Sequence, residues 1–355
     1  MAVWTWLVPA LAATLLGGAV AAGVGPWLAV ACAGALVGAV FAGVHHAEVV
    51  AHRVGEPFGT LVLAVAVTVI EASLILSMMF ADVGKGAVLA RDTIYAAVMI
   101  ICNGVVGVCI LAGGLAHREQ TFRVEGAGAG LAALIAMSAL SLVLPVFTTT
   151  TPAGTYSGSQ LAFAAVASLA LWAVFVFIQT VRHRDYFLPD VDAADPGVHA
   201  EPPSDGEAWA SFGLLVVSLA AVVGLAKILS PSIERAVAAA GAPKTVIGIV
   251  IAMLVLLPET WAAVRAARAN RLQTSMNLAI GSALASIGLT IPVVALAAIA
   301  FELPLVLGLE PKDLVMLALT FLVSAVTLGT GRTHVMQGAV HLVIFAAFLF
   351  LALVP

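Results

Sequence analysis

Two glutamates sit where a charged group is costly. Glu71 lies in "TVIEASL" (residues 68–74) and Glu259 in "LLPETWA" (residues 256–262). Each interrupts a long apolar run near its middle, about 20 Å from the predicted helix start at a rise of about 1.5 Å per residue. A carboxylate at that depth costs several kcal/mol unless it is protonated, paired or bound to a cation. Two such groups brought together hold protons well, because both cannot stay ionised in a dry site. A hard divalent cation, which prefers oxygen ligands, can take the place of those protons. Competition between protons and a cation for one carboxylate pair is a physical basis for exchange. The structural alternative is a neutral glutamate hydrogen-bonded between helices, and two acids in equivalent places weigh against it.

More oxygen is available nearby. Thr68 is one turn before Glu71. Asn103 occupies the middle of the following apolar helix, with Gly104 and Gly107 after it. The helix after Glu259 reads "NLAIGSALASIGLTIP" and offers Asn277, Ser282, Ser286 and Thr290. Ser282 and Ser286 are four apart and share a face. Gly281, Ala283, Ala285 and Gly288 permit close helix approach, so ordinary packing through small and hydroxyl residues is the competing account. Pro258 removes a backbone donor and frees a carbonyl beside Glu259.

The elements that must position these groups follow from composition. The chain has 355 residues, 62% hydrophobic and 10% charged, against about 25% charged in soluble proteins. Apolar runs of about 20 residues recur, the length needed to cross a hydrocarbon core. These features predict an all-α polytopic membrane protein. Eleven spans are expected, at 4–24, 27–45, 58–80, 92–114, 127–147, 160–181, 209–229, 244–267, 273–300, 312–329 and 334–354. The short alternating segments of a β-barrel are absent, and no basic stripe suits nucleic acid. Cys32, Cys102 and Cys109 all lie in apolar runs and read as packed thiols. The apolar N-terminus lacks a basic start and reads as an uncleaved first helix.

The stretch "RHRDYFLPDVDAADPGVHAEPPSDGE" differs in kind: acidic, proline-rich and without apolar period. It reads as a solvated connector over 182–208. A segment that attracts cations near a pore mouth is the sharper alternative. Set aside an extra N-terminal helix (1–26), and five spans precede the connector (27–181) and five follow it (209–355). An odd number per half makes the halves inverted repeats, as in many secondary transporters. Glu71 and Glu259 then fall in the second helix of each repeat. Loops on the N-terminal side carry Arg53, Arg118, Arg123, Arg182, Arg184, Arg265, Arg268, Arg271 and Arg332. The opposite loops carry Lys85, Arg91, Arg235, Lys244 and Lys312. This bias puts the N-terminus and the connector in the cytoplasm.

On "GEPFGTLVLAVAVTVIEASLI" and "LPETWAAVRAARANRLQTSMNLAIGSALASIGLTIP" the chain resembles the calcium/cation–proton antiporters of the cation/calcium exchanger superfamily, most closely the bacterial ChaA type. The resemblance extends, less specifically, over nearly the whole chain. It implies two repeats face to face, each with one essential glutamate (Glu71 and Glu259), and polar ligands at Asn103 and Ser282. It also implies a bacterial inner membrane location. The sequence departs from the Gly-Asn-x-x-Glu pattern of many members: Val67 and Thr68 precede Glu71, and Val255 and Leu256 precede Glu259. Ala285 stands where a glutamine is common. Oxygens able to touch a bound cation are therefore fewer, and calcium, sodium and potassium are all expected as candidate substrates. No resident cofactor is expected, since Ca2+ and H+ would be cargo; cations, protons and the lipid bilayer are the expected partners. Nothing here sets an oligomeric state.

"HHAEVVAH" puts His45, Glu48 and His52 on one helical face, with His46 beside them. A solvated helix end at the membrane edge explains the stretch; metal binding or pH sensing is the regulatory alternative. Two other classes of function remain. An intramembrane aspartyl protease needs two mid-helix aspartates, which are absent, and a serine protease needs a histidine at Ser282, for which His341 is the candidate. A cation channel favours filter loops, and none is seen.

Overall fold

A computed structural model of the chain describes residues 3–55, 58–81, 86–188, 203–243 and 245–354. Its main elements are eleven helical rods: α1 (Val3–Ala22), α2 (Pro26–Val54), α3 (Phe58–Ala81), α4 (Gly86–His117), α5 (Val124–Phe147), α6 (Gly158–Arg182), α7 (Asp205–Ala239), α8 (Thr245–Arg268), α9 (Leu272–Ala300), α10 (Pro311–Leu328) and α11 (Val335–Leu353). Among the described residues, ten are long and apolar enough to cross a membrane, and α3 adds the shorter apolar stretch Val65–Phe80. The chain is therefore the expected all-α polytopic protein. Most of the connector, residues 189–202, lies outside the described residues, as do Lys85 and Lys244.

Hydrogen bonds between loops sort the helix ends onto two faces. On one, Arg53 pairs with Asp205, joining the end of α2 to the start of α7. Gln120 donates to the Ala267 carbonyl, and the Arg123 amide donates to Gln273. There the strand β1 (Glu119–Thr121) pairs antiparallel with β2 (Arg332–His334). On the other face, the Val306 amide donates to Ala87, Leu307 to Gly154 and Leu309 to Leu142. The first set links the α2, α4, α6, α8 and α10 exits; the second links the α3, α5 and α9 exits. Eleven consecutive crossings require this alternation, and the arginine-rich loops fall together on the first face.

Packing repeats with the inverted symmetry. Helix α3 crosses α9 as α8 crosses α4; α4 packs along α11 as α9 packs along α6; α2 and α7, themselves equivalents, pack against each other. Close approach depends on glycine at matched seams. A Cβ on Gly338 of α11 would lie 2.6 Å from the Leu111 amide of α4, and one on Gly288 of α9 would lie 2.5 Å from Trp172 Cβ of α6. Helix α1 lies outside the repeats, against α2 and α7.

Three helices outrun their apolar signal. Helix α2 does not stop near residue 45 but continues to Val54, so "HHAEVVAH" is helical throughout, with His46 and Ala47 buried and Glu48 and His52 exposed toward its C-terminal end. The cause is tertiary: His46 is fully buried and its Nε2 donates to the Thr5 carbonyl of α1 at 2.8 Å, while the His45 ring packs 5.1 Å from that of Trp4. Helix α7 starts at Asp205 because Ser204 and Glu207 form a reciprocal capping box. Helix α4 runs from Gly86 to His117 and contains a π-helical turn, Ile100–Val105, around Asn103.

Candidate functional site

A cavity of about 390 Å3 enters the molecule between α2, α3, α6, α8 and α9. Its deep end is lined by Thr68, Glu71, Glu259 and Ser286; farther out come Ser282 and Asn277, then Glu48 and Gln179. Glu48, Gln179 and Asn277 lie near helix ends on the arginine-rich face, and Glu48 is solvent-exposed, so the cavity opens on that face. Below Glu71 the path is closed by the buried side chains of Ile75, Met79, Ala90 and Val294.

The two acids are held differently. Glu71 Oε1 accepts a hydrogen bond from Ser286 Oγ at 2.6 Å, and Oε2 one from Thr290 Oγ1 at 3.4 Å. Both hydroxyls come from α9, one helical turn apart, where the symmetric packing lays α3 across α9. Glu259 has no such clamp. Both its carboxylate oxygens are shielded from solvent and take no hydrogen bond among the described residues. The Thr68 hydroxyl is likewise buried without a partner. An unpaired carboxylate in such a place is stable only when protonated or beside a cation. Pro258, buried just before Glu259, leaves the Leu254 carbonyl without its helical donor and adds an oxygen on this stretch.

Asn103 lies outside the cavity in this conformation. Its Nδ2 donates to Thr320 Oγ1 at 2.9 Å, and its Oδ1 lies 3.3 Å from His341 Nδ1. His341 Nε2 in turn lies 3.0 Å from Thr327 Oγ1. This buried chain joins α4, α10 and α11 and occupies His341, so the histidine that a serine protease would need is engaged away from Ser282. Asn277 lines the cavity but is committed: its Nδ2 donates to the Phe187 carbonyl at 2.6 Å and its Oδ1 accepts from Gln273. It therefore sets the position of Phe187 in the cavity wall. Of the histidine-rich stretch, Glu48 reaches the cavity, His45 and His46 face α1, and His52 is exposed. Gln179 and the aromatic wall of Trp172, Phe175 and Phe187 were not singled out from sequence. Gln179 sits in a π-helical turn, Ile178–Arg182, and its signal was a lone amide closing an apolar run.

Among the described residues no three His, Cys, Asp or Glu side chains gather closely enough to cage a metal.

Comparison with known proteins agrees with this architecture. A family model described as sodium/calcium exchanger protein matches residues 24–181 and 210–354, one stretch on each side of the connector. The chain is 49% identical over 356 residues to y4hA, a proposed ionic transporter of Sinorhizobium fredii, covering 99% of this chain and 96% of that one. It is 36% identical over 318 residues to the sodium-potassium/proton antiporter ChaA of Escherichia coli, covering 88% and 85%. Among solved structures, the H+/Ca2+ exchanger CAX shares the fold with a TM-score of 0.71 at 12% identity, covering 98% of this chain and 87% of that one.

Proposed function

The chain belongs to the sodium/calcium exchanger protein family, and from that premise we propose that it exchanges cytoplasmic Ca2+, or Na+ or K+, for external protons by alternating access at Glu71 and Glu259. The observation that carries the reading is one cavity ending on both glutamates, with both oxygens of Glu259 buried and unpartnered. Protons or a cation satisfy that carboxylate; an empty, ionised pair does not persist. Coupling follows, because the site has one low-energy form with protons and one with a cation. The likeness to the sodium-potassium/proton antiporter ChaA supports a proton-coupled cation exchange and favours monovalent substrates. The arginine bias favours a cytoplasmic opening for the cavity and a cytoplasmic N-terminus in the bacterial inner membrane. Thr68, Ser282 and Ser286 supply neutral oxygens to the cation in this reading.

The test is transport by the purified protein in proteoliposomes, with Ca2+, Na+ and K+ presented in turn and luminal pH followed. Glu71→Gln and Glu259→Gln should each insert and fold yet carry no exchange. Full activity in either variant would refute the assignment.

A further inference from the structure

The glutamate at the cavity mouth has a counterpart in the other repeat. Glu48 is the one acid in the sequence of α2, and Glu234 is the one acid in α7 beyond its capping first turn. Glu48 precedes Glu71 by 23 residues, and Glu234 precedes Glu259 by 25. The two-residue difference is the extra length of the second turn, residues 240–244 against 55–57. The two acids therefore lie at nearly the same distance from the C-terminal ends of equivalent helices, six residues before Val54 and five before Ala239. Since the repeats are inverted, those ends lie on opposite faces.

Glu48 lines the open cavity together with the unpartnered Thr68 hydroxyl and Glu259 carboxylate. It takes no hydrogen bond or ion pair among the described residues. Among the cavity-lining residues it is the acid nearest the mouth, and no arginine or lysine lines the way in. Apolar walls at Val44, Val67 and Val176 focus the field of one carboxylate along the entrance. Glu234 lies outside this cavity, exposed on the opposite face, with Ser230 Oγ 3.4 Å from its Oε1.

We propose that Glu48 and Glu234 are paired capture sites for the transported cation, one at each entrance, each serving only the conformation open on its own side. The proposal rests on the antiport reading above. Glu48 draws the cation in from the arginine-rich face, and Glu234 takes that part at the other face after access has switched. Neither joins the central carboxylates in holding the ion.

The experiment measures 45Ca2+ and 22Na+ exchange in vesicles of known orientation, with cation presented at one face at a time. Glu48→Gln should raise KM about three- to tenfold for cation at the arginine-rich face, with kcat little changed and KM at the other face unaltered. Glu234→Gln should do the reverse. Both effects should fade in high salt, which screens a surface field. Glu48→Asp should restore KM. Glu48→Cys guards against misfolding: a negatively charged thiosulfonate reagent should restore low KM, and a positively charged one should raise it further. Unchanged KM in both glutamine variants, equal effects at both faces, or loss of kcat alone would overturn the proposal. Failure of the antiport reading itself would appear separately, as retained exchange in Glu71→Gln or Glu259→Gln.

Discussion

Ser286→Ala tests how far the central pair depends on its one short hydrogen bond. Ser286 Oγ donates to Glu71 Oε1 at 2.6 Å, both residues are 4% exposed, and alanine leaves no donor in its place. A hydrogen bond to a charged group contributes about 1.5–3 kcal/mol, and it favours the ionised carboxylate, the form that takes a cation. Converted at about 1.4 kcal/mol per tenfold, its loss lowers apparent cation affinity by about 10- to 150-fold. Thr290→Val is the internal control. Its bond to Oε2 is 3.4 Å long, beyond the usual range, and its loss should cost about threefold or less. The assay is the concentration dependence of cation-driven proton release from proteoliposomes, with melting temperature followed alongside. Equal effects of the two variants, or no effect of Ser286→Ala, would refute the view that α9 holds Glu71 through Ser286.

Proton competition has a definite sign. Lowering pH on the cation side fills the carboxylates with protons, so KM should rise, by up to about 100-fold per pH unit where two protons oppose one cation; a pH-independent KM would show that the two do not share a site. Asn103→Leu strips partners from the buried Thr320 and His341, a cost of about 1–3 kcal/mol. It should lower the melting temperature while leaving KM within about threefold, and a large KM effect with an unchanged melting temperature would make Asn103 a ligand instead. Gly338→Ala drives a Cβ to 2.6 Å from backbone that cannot yield, so a loss of about 1–3 kcal/mol in stability is expected by thermal unfolding. Breaking the exposed Arg53–Asp205 pair should change stability by less than about 1 kcal/mol.

The spans and the two central glutamates were legible because apolar length and an acid within it are local signals. What escaped the sequence has two causes. Helix extension past residue 45 depends on His46 meeting a carbonyl of α1, a contact 41 positions away in the chain. The aim of a polar side chain depends on the helical phase around it: a π-helical turn at Ile100–Val105 surrounds Asn103, whose amide meets α10 and α11, and another at Ile178–Arg182 holds Gln179 at the cavity. Neither wide turn has a residue signature that periodicity detects. The start of α7 was readable and unread, since Ser204 followed three residues later by Glu207 announces a helix N-terminus.

The small ribbon of β1 with β2 has a mechanical meaning. It sutures a loop of the first repeat to a loop of the second, on the very face where the cavity opens. Two halves stitched there do not swing apart like the covers of a book. Any change of access of the kind proposed above therefore has to leave these two loops joined.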